Sequence, residues 1–409
     1  MTKNRLVYQQ DFTKLGLPGG GGAVAQCYRA GNFVWITGQT SNTFDGEFVG
    51  LGDPAAQARL ACENIKSLME MAGGTLRDVV RLTIYVTDRG LREAVYPVIR
   101  HYFGEPLPCG TGLVVKGLAR EELLVEIDAW GFIDDQGVRK RLVQTLDLGP
   151  TGMPGTAGVG AQAYRAGNFV WLTGQTAFTL GGKLVGVGDP AAQARQACEN
   201  IKALMEAAGG TLRDLVRVVY YVTERSHRLA AYPVISGYFG EPLPCGTGLV
   251  VPGLARPELL VEIDAWGVID GDRIRKTTIR AQDLTSMGMP GSVGRAVQCC
   301  RAGNHVYIQG QTAFTLDGEL VGVGDPAAQA RQACENIKAL IEMAGGRLDD
   351  VVRIIVYVTD RGHRLTAYPM IRRYFEKIWP CGTGIVVKGL AREELLVEID
   401  AWGFIDDSS

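Results

Sequence analysis

At 409 residues the chain is long enough for two to four domains, and its 46% hydrophobic and 21% charged residues are those of packed globular units. Lys and Arg number 42 against 44 Asp and Glu, and with no basic tract or aromatic–basic interleaving a nucleic-acid partner is not expected. The opening stretch MTKNRLVYQQDF lacks an apolar signal core, and no run approaches the ~18 apolar residues of a membrane span, so the expected location is cytoplasmic with no membrane partner. Nine cysteines, an odd number, favour free thiols over a disulfide framework. There is no CxxC, no HExxH and no GxGxxG, so neither a metal nor any other cofactor is expected.

The elements of the first third read in order. AVAQCYRAGNFVWITG gives two strands around a Gly31-Asn32 turn, and Asp45-Gly46 predicts a second hairpin. Asp53-Pro54 supplies an N-cap and a proline at the first helical position. Ala58, Ala61, Cys62, Ile65, Leu68, Met69 and Ala72 then recur at helical spacing until Gly73-Gly74 ends the run. DVVRLTIYVT alternates as a strand, with Val80, Leu82, Ile84 and Val86 on one face and Arg81, Thr83 and Tyr85 on the other. A second helix is expected over roughly 90–103, and strands at about 111–116 and 122–131. The unit is α+β, strands with two helices on one face.

This unit occurs three times. DPAAQAR begins at Asp53, Asp189 and Asp325, a step of 136 residues each time, and GQT, PCGTG and VEIDAWG keep the same step. A period of that length is one whole domain. The domains are 1–138, 139–274 and 275–409, divided in the charged stretches DDQGVRKR and DGDRIRK, and such short joints predict domains packed on one another.

The order GN–apolar strand–GQT, the capped helix, YVTD and the closing VEIDA together resemble the Rid family, also called YjgF or L-PSP. The resemblance spans almost the whole chain. It implies three tandem chorismate-mutase-like domains forming an intramolecular pseudo-trimer with three interdomain clefts. It further implies hydrolysis of small imines or enamines to ketones and ammonia, with a small-molecule substrate and no partner beyond the pseudo-trimer or a higher assembly of it. Its glutamate falls on Glu126, Glu262 and Glu398, and its water-holding backbone near GQ on Gly38, Gly174 and Gly310. Its serine or threonine falls on Thr37 and Thr173, with Gln309 in the third copy. Its tyrosine falls near Val24, Gly160 and Ala296, and its carboxylate-binding arginine at Gly110, Gly246 and Gly382, so neither is matched.

Read from the residues themselves, Glu126 and Asp128 share one strand face, about 7 Å apart. They are either an acid–base pair in a cleft or a polar interface stripe. Cys109, Cys245 and Cys381 open the PCGTG bends, either as small buried residues or as nucleophiles beside free backbone amides. Gly110, Thr111, Gly246, Thr247, Gly382 and Thr383 shape the expected substrate pocket. Arg92, Arg228 and Arg364, like Arg89, Arg225 and Arg361, mark a solvated helix entrance or a substitute for the missing arginine. Tyr96, Tyr232 and Tyr368 read as packing, and Cys62, Cys198 and Cys334 as core. The favoured function is a cofactor-free C–N hydrolase or deaminase. A cysteine-nucleophile hydrolase of an amide or ring nitrogen compound, and a non-catalytic ligand-binding or chaperone-like scaffold, stay open beside it. The cleft that receives Gln309 is expected to be the altered one.

Overall fold

The computed structural model describes every residue except 1–4, 136, 272, 273, 293, 378 and 407–409. Three of these, Gln136, Asp272 and Arg273, lie in the stretches expected to divide the domains. In the first domain β1 (Arg5–Asp11), β2 (Ala23–Ala30) and β3 (Phe33–Gln39) are followed by α1 (Pro54–Met71), β4 (Val79–Val86), α2 (Arg92–Phe103), β5 (Cys109–Val114) and β6 (Val125–Phe132). The sheet order is β1-β2-β3-β6-β4-β5, with β4 and β5 parallel and every other pair antiparallel. The same eight elements return between Lys140 and Val268 and between Lys276 and Phe404, giving three six-stranded sheets.

Local chemistry accounts for the elements. The Asp53 carboxylate accepts hydrogen bonds from the Ala55 and Ala56 amides, both at 3.0 Å, and Pro54 occupies the first helical turn. Gly73, at φ +85°, follows the helix in a conformation that L side chains rarely adopt. The expected Asp45-Gly46 hairpin contracts to a tight turn closed by one bridge between Asn42 and Phe48. The opening strand β1 and its counterparts at Lys140–Asp147 and Lys276–Asp283 were not among the expected elements. Their sequences are largely polar and edge a sheet, so they carry little apolar alternation.

Each sheet has two apolar faces. Helices α1 and α2 cover one, where Cys62, Ile65, Leu68 and Met69 meet Val79, Leu82, Ile84 and Ile127. The opposite faces of all three sheets meet around a pseudo-threefold axis in a shared core rich in tryptophan. Phe33, Phe169 and His305, one from each repeat, pack with ring centroids 4.2–4.7 Å apart. Burial there pushes the His305 imidazole down to about 3. This core explains why all eight residues of β4 are buried, including Arg81, Thr83 and Tyr85 on the face turned towards it. Val80, expected beside Leu82 and Ile84, joins that core through the irregularity between Val79 and Arg81, while Val79 packs under the helices.

The ring closes through edge strands. The segment before β5 bridges to the second domain at Leu107–Gly160, the second domain to the third at Leu243–Ala296, and the third back to the first at Trp379–Val24. Each junction holds the same buried ion pair: Arg81 with Asp264 at 2.6 Å, Arg217 with Asp400, and Arg353 with Asp128 at 2.7 Å. Among the described residues no helix is long and apolar enough to cross a membrane.

Candidate functional site

Beside each ion pair lies a cleft shared by two domains. The first cleft joins domains 1 and 3, the second domains 2 and 1, the third domains 3 and 2. Each takes a carboxyl group from one domain and an arginine from the other.

The carboxyls are Glu126, Glu262 and Glu398, near the start of β6 and its counterparts and 4–5% exposed. The glycine of GQT is what admits them: a Cβ on Gly38, Gly174 or Gly310 would overlap the Oε1 of the respective glutamate. Burial first, and the neighbouring Asp128, Asp264 or Asp400 second, push each glutamate up to about 8, against the opposing pull of Arg364, Arg92 or Arg228. At neutral pH each is therefore a neutral acid that can give a proton and take it back. The two carboxylates of the strand stripe thus divide. Asp128 belongs to the interface, held by Arg353, by the Tyr85 hydroxyl at 3.1 Å and by the Thr383 hydroxyl. Glu126 faces the cleft.

Opposite stand Arg364, Arg92 and Arg228, only 2–3% exposed, which corrects the expectation of a solvated helix entrance. Each donates to the tyrosine one helical turn on: Arg364 to Tyr368 at 2.6 Å, Arg92 to Tyr96 at 2.6 Å and Arg228 to Tyr232 at 2.7 Å. The guanidinium also lies over that tyrosine's ring, 3.9–4.1 Å from its centre. Neither side chain would fit if Gly112, Gly248 or Gly384 carried a Cβ, which would overlap the tyrosine hydroxyl and the guanidinium. Among the described residues none of the three arginines has a carboxylate within ion-pair distance. The sequence held the signal: an Arg and a Tyr four residues apart in all three copies, on the helix face that also carries buried Val95 and Ile99. Arg89, Arg225 and Arg361 instead tie domains together by donating to the Leu254, Leu390 and Leu118 carbonyls.

The expected PCGTG bends are the openings of strands, β5 starting at Cys109 and its counterparts at Cys245 and Cys381. These strands run along the clefts, and Gly110, Thr111, Gly246, Thr247, Gly382 and Thr383 all line them. The threonine hydroxyls are engaged: Thr111 with Asp264 and Arg81, Thr247 with Asp400 and Arg217, Thr383 with Asp128 and Arg353. The Gly110 and Gly382 amides donate to Thr173 and Thr37 at 3.1 and 2.9 Å. In the third cleft Gln309 replaces that threonine and its Oε1 is buried without a partner.

The structure does not bring the PCGTG cysteines to the site. Cys109, Cys245 and Cys381 are fully buried, and their thiols donate across the domain junction to the Trp171, Tyr307 and Trp35 carbonyls at 3.3–3.5 Å. Burial pushes Cys109 up to about 11 and Cys381 to about 12, so both are protonated thiols at neutral pH. Among the described residues no cluster of three or more His, Cys, Asp or Glu side chains is placed to hold a metal.

The clefts differ in size. The first encloses about 450 Å³, the second about 120 Å³ and the third about 90 Å³.

The sequence pattern of the family described as Endoribonuclease L-PSP matches the chain at residues 22–133, 154–269 and 288–405. A RutC family protein of Pyrococcus horikoshii is 37% identical over 112 residues, which is 27% of this chain and 87% of the relative. The structure of RidA from an Antarctic Psychrobacter is 35% identical, covering 29% of this chain and 95% of its own, with a TM-score of 0.25. A chorismatase structure aligns over 80% of this chain and 93% of its own at 17% identity and a TM-score of 0.52, a likeness of fold over more than two domains.

Proposed function

Since the chain belongs to the endoribonuclease L-PSP (Rid, YjgF) family and carries its unit three times, we propose that it hydrolyses a small carboxylate-bearing imine or enamine to a ketone and ammonia. One observation carries the reading: a buried arginine with no counterion among the described residues faces a neutral glutamic acid across each cleft. An unpaired buried cation costs several kcal/mol, and a substrate carboxylate supplies the missing charge. The arginine enters from the helix rather than from the PCGTG strand, through the space left by Gly112, Gly248 or Gly384.

With the substrate carboxylate on Arg364, Glu126 gives its proton to the imine nitrogen, or to the enamine carbon, and the C=N carbon becomes an electrophilic iminium. Water attacks that carbon and the Glu126 carboxylate accepts its proton, leaving a tetrahedral amino alcohol. Glu126 then returns that proton to nitrogen. As ammonia leaves and the C=O bond forms, the hydroxyl proton passes to the Glu126 carboxylate, so one water is consumed and glutamic acid is restored. Burial, and after it the nearby Asp128, keep the glutamate's pKa high, and Asp128 is itself occupied by Arg353. Every group required is a side chain or water.

The test is ammonia release from an α-imino acid generated in situ by an amino acid oxidase. The triple variant E126Q/E262Q/E398Q should lose turnover while still binding an α-keto acid product. Unchanged turnover in that variant would sink the proposal. Keto acid binding with no ammonia release by the wild type would mark a binding scaffold instead.

A further inference from the structure

The three clefts are built on one plan, yet the residues that distinguish the first all act in one direction. Where the second and third have Phe178 and Phe314 in their walls, the first has Asn42. Where they have Leu107 and Leu243, it has Trp379, whose ring lies parallel to that of Tyr368 with centroids 5.6 Å apart and an interplanar angle of 17°. The Arg92 and Arg228 guanidinium groups also reach the Thr156 and Ser292 hydroxyls, at 3.2 and 3.5 Å. The equivalent position in the first cleft is Gly20, so Arg364 has no such donor-consuming neighbour.

Polar groups are also left without partners there. The Asn42 side-chain oxygen and the Gln26 side-chain nitrogen are buried and make no hydrogen bond; the Arg364 Nε is unpartnered as well, as is the Arg92 Nε of the second cleft. Asn42, Gln26 and Arg364 are 7%, 2% and 3% exposed and all line the first cleft. Buried polar groups are ordinarily satisfied, and an acceptor, a donor and a cation unsatisfied around one cavity describe the outline of a ligand. At about 450 Å³ this cavity is also the one of the three in the usual size range of small-molecule sites.

The geometry points to the first cleft as the site of a larger substrate than the other two can hold: an α-imino or α-keto acid with a flat, ring-sized body and a hydroxyl-like group at its far end. The carboxylate pairs with Arg364, the ring lies along the Trp379–Tyr368 stack, and the distal hydroxyl donates to Asn42 and accepts from Gln26. A flat aromatic wall favours a planar body. This assignment rests on Arg364 as the carboxylate site.

Calorimetry with pyruvate, phenylpyruvate and para-hydroxyphenylpyruvate on the full chain tests it. Both aromatic acids should bind at a single site per chain, about tenfold or more tighter than pyruvate, and the hydroxylated one tighter than the other. W379L should weaken the aromatic acids about tenfold or more and leave pyruvate unchanged. N42F/F48L, which restores the Phe and Leu found at these positions in the other domains, should do the same without relying on the tryptophan. Three equivalent aromatic sites, or unaltered aromatic binding in both variants, overturns the size assignment alone. No gain from the hydroxyl overturns the roles of Asn42 and Gln26. If R364M keeps full affinity for all three acids, or none of them binds the wild type, the reading of Arg364 fails and the assignment with it.

Discussion

Two sets of arginines are buried to nearly the same depth and do opposite things. Arg81, Arg217 and Arg353 are fully buried at the domain junctions, each paired with an aspartate, hydrogen-bonded to a threonine and stacked on a tryptophan. Arg92, Arg228 and Arg364, at the clefts, have a tyrosine and backbone or hydroxyl oxygens but, among the described residues, no anion. A buried charge with its counterion beside it is a fastening, whereas one without is a vacancy for a ligand. Depth alone does not separate the two, and the partner list does.

The widest separation should come from breaking one fastening. D128N leaves Arg353 buried and unpaired, and its unfolding free energy, read by denaturant titration, should fall by about 3–5 kcal/mol. A loss below about 1 kcal/mol would mean the junction is not held as described. Next come the glutamates. E126Q/E262Q/E398Q should lower turnover on the order of 10²–10⁴-fold with the fold intact. The same variant should change the pH dependence of stability. Each glutamate is raised to about 8 when folded, so the native state binds more protons than the unfolded chain above about pH 4.5. Stability contributed by the neutral form is complete below that pH and is lost as pH rises towards 8, by up to about 1.4 kcal/mol per pH unit for each group. Thermal scans from acid to mildly alkaline pH should show this decline in the wild type and a flatter profile in the variant. Wild-type turnover should likewise fall above about pH 8, as the acid form is lost.

The other arginine set should respond with the reverse sign. R92M/R228M/R364M should weaken α-keto acid binding about 10²-fold or more while leaving stability unchanged or raised, because an uncompensated charge has been removed. A stability loss matching that of D128N would erase the distinction. The smallest effect belongs to C109S/C245S/C381S. Turnover should stay within a few-fold of wild type, with a cost of about 1 kcal/mol at each buried site.

Much of this was written in the sequence, unevenly. The repeat of 136 residues, the capped helix and the strand at Val79–Val86 are local patterns that need nothing distant to form. The glutamates at 126, 262 and 398 were marked by the family resemblance, and VEIDA repeats them in register. The arginines of α2 could not be read so directly. A charged residue at a helix start usually faces water, and only the neighbouring domain turns Arg92 into a buried group. The cysteines misled for the same reason: a glycine-rich bend suggests exposed amides, but the next domain's strands cover it. The sequence pointed to the cleft of Gln309 as the altered one, whereas the wider departure is in the first cleft, at Asn42 and Trp379. Their meaning emerges only once residues more than three hundred positions apart share one cavity.

The ring has three joints, and peptide crosses two of them, between domains 1 and 2 and between 2 and 3. The joint between domains 3 and 1 is stitched by non-covalent contacts such as the Trp379–Val24 bridge and the Arg353–Asp128 pair. It is the clasp of the bracelet, and it also holds the roomiest cleft. Arg364 lies 238 residues after Glu126, well into the third repeat, so a ribosome-bound chain carries that glutamic acid for all of that length before its counterpart exists. Three separate subunits in a symmetric ring would have to be altered at every joint at once. A single chain can retailor its clasp and leave the other two joints as they were.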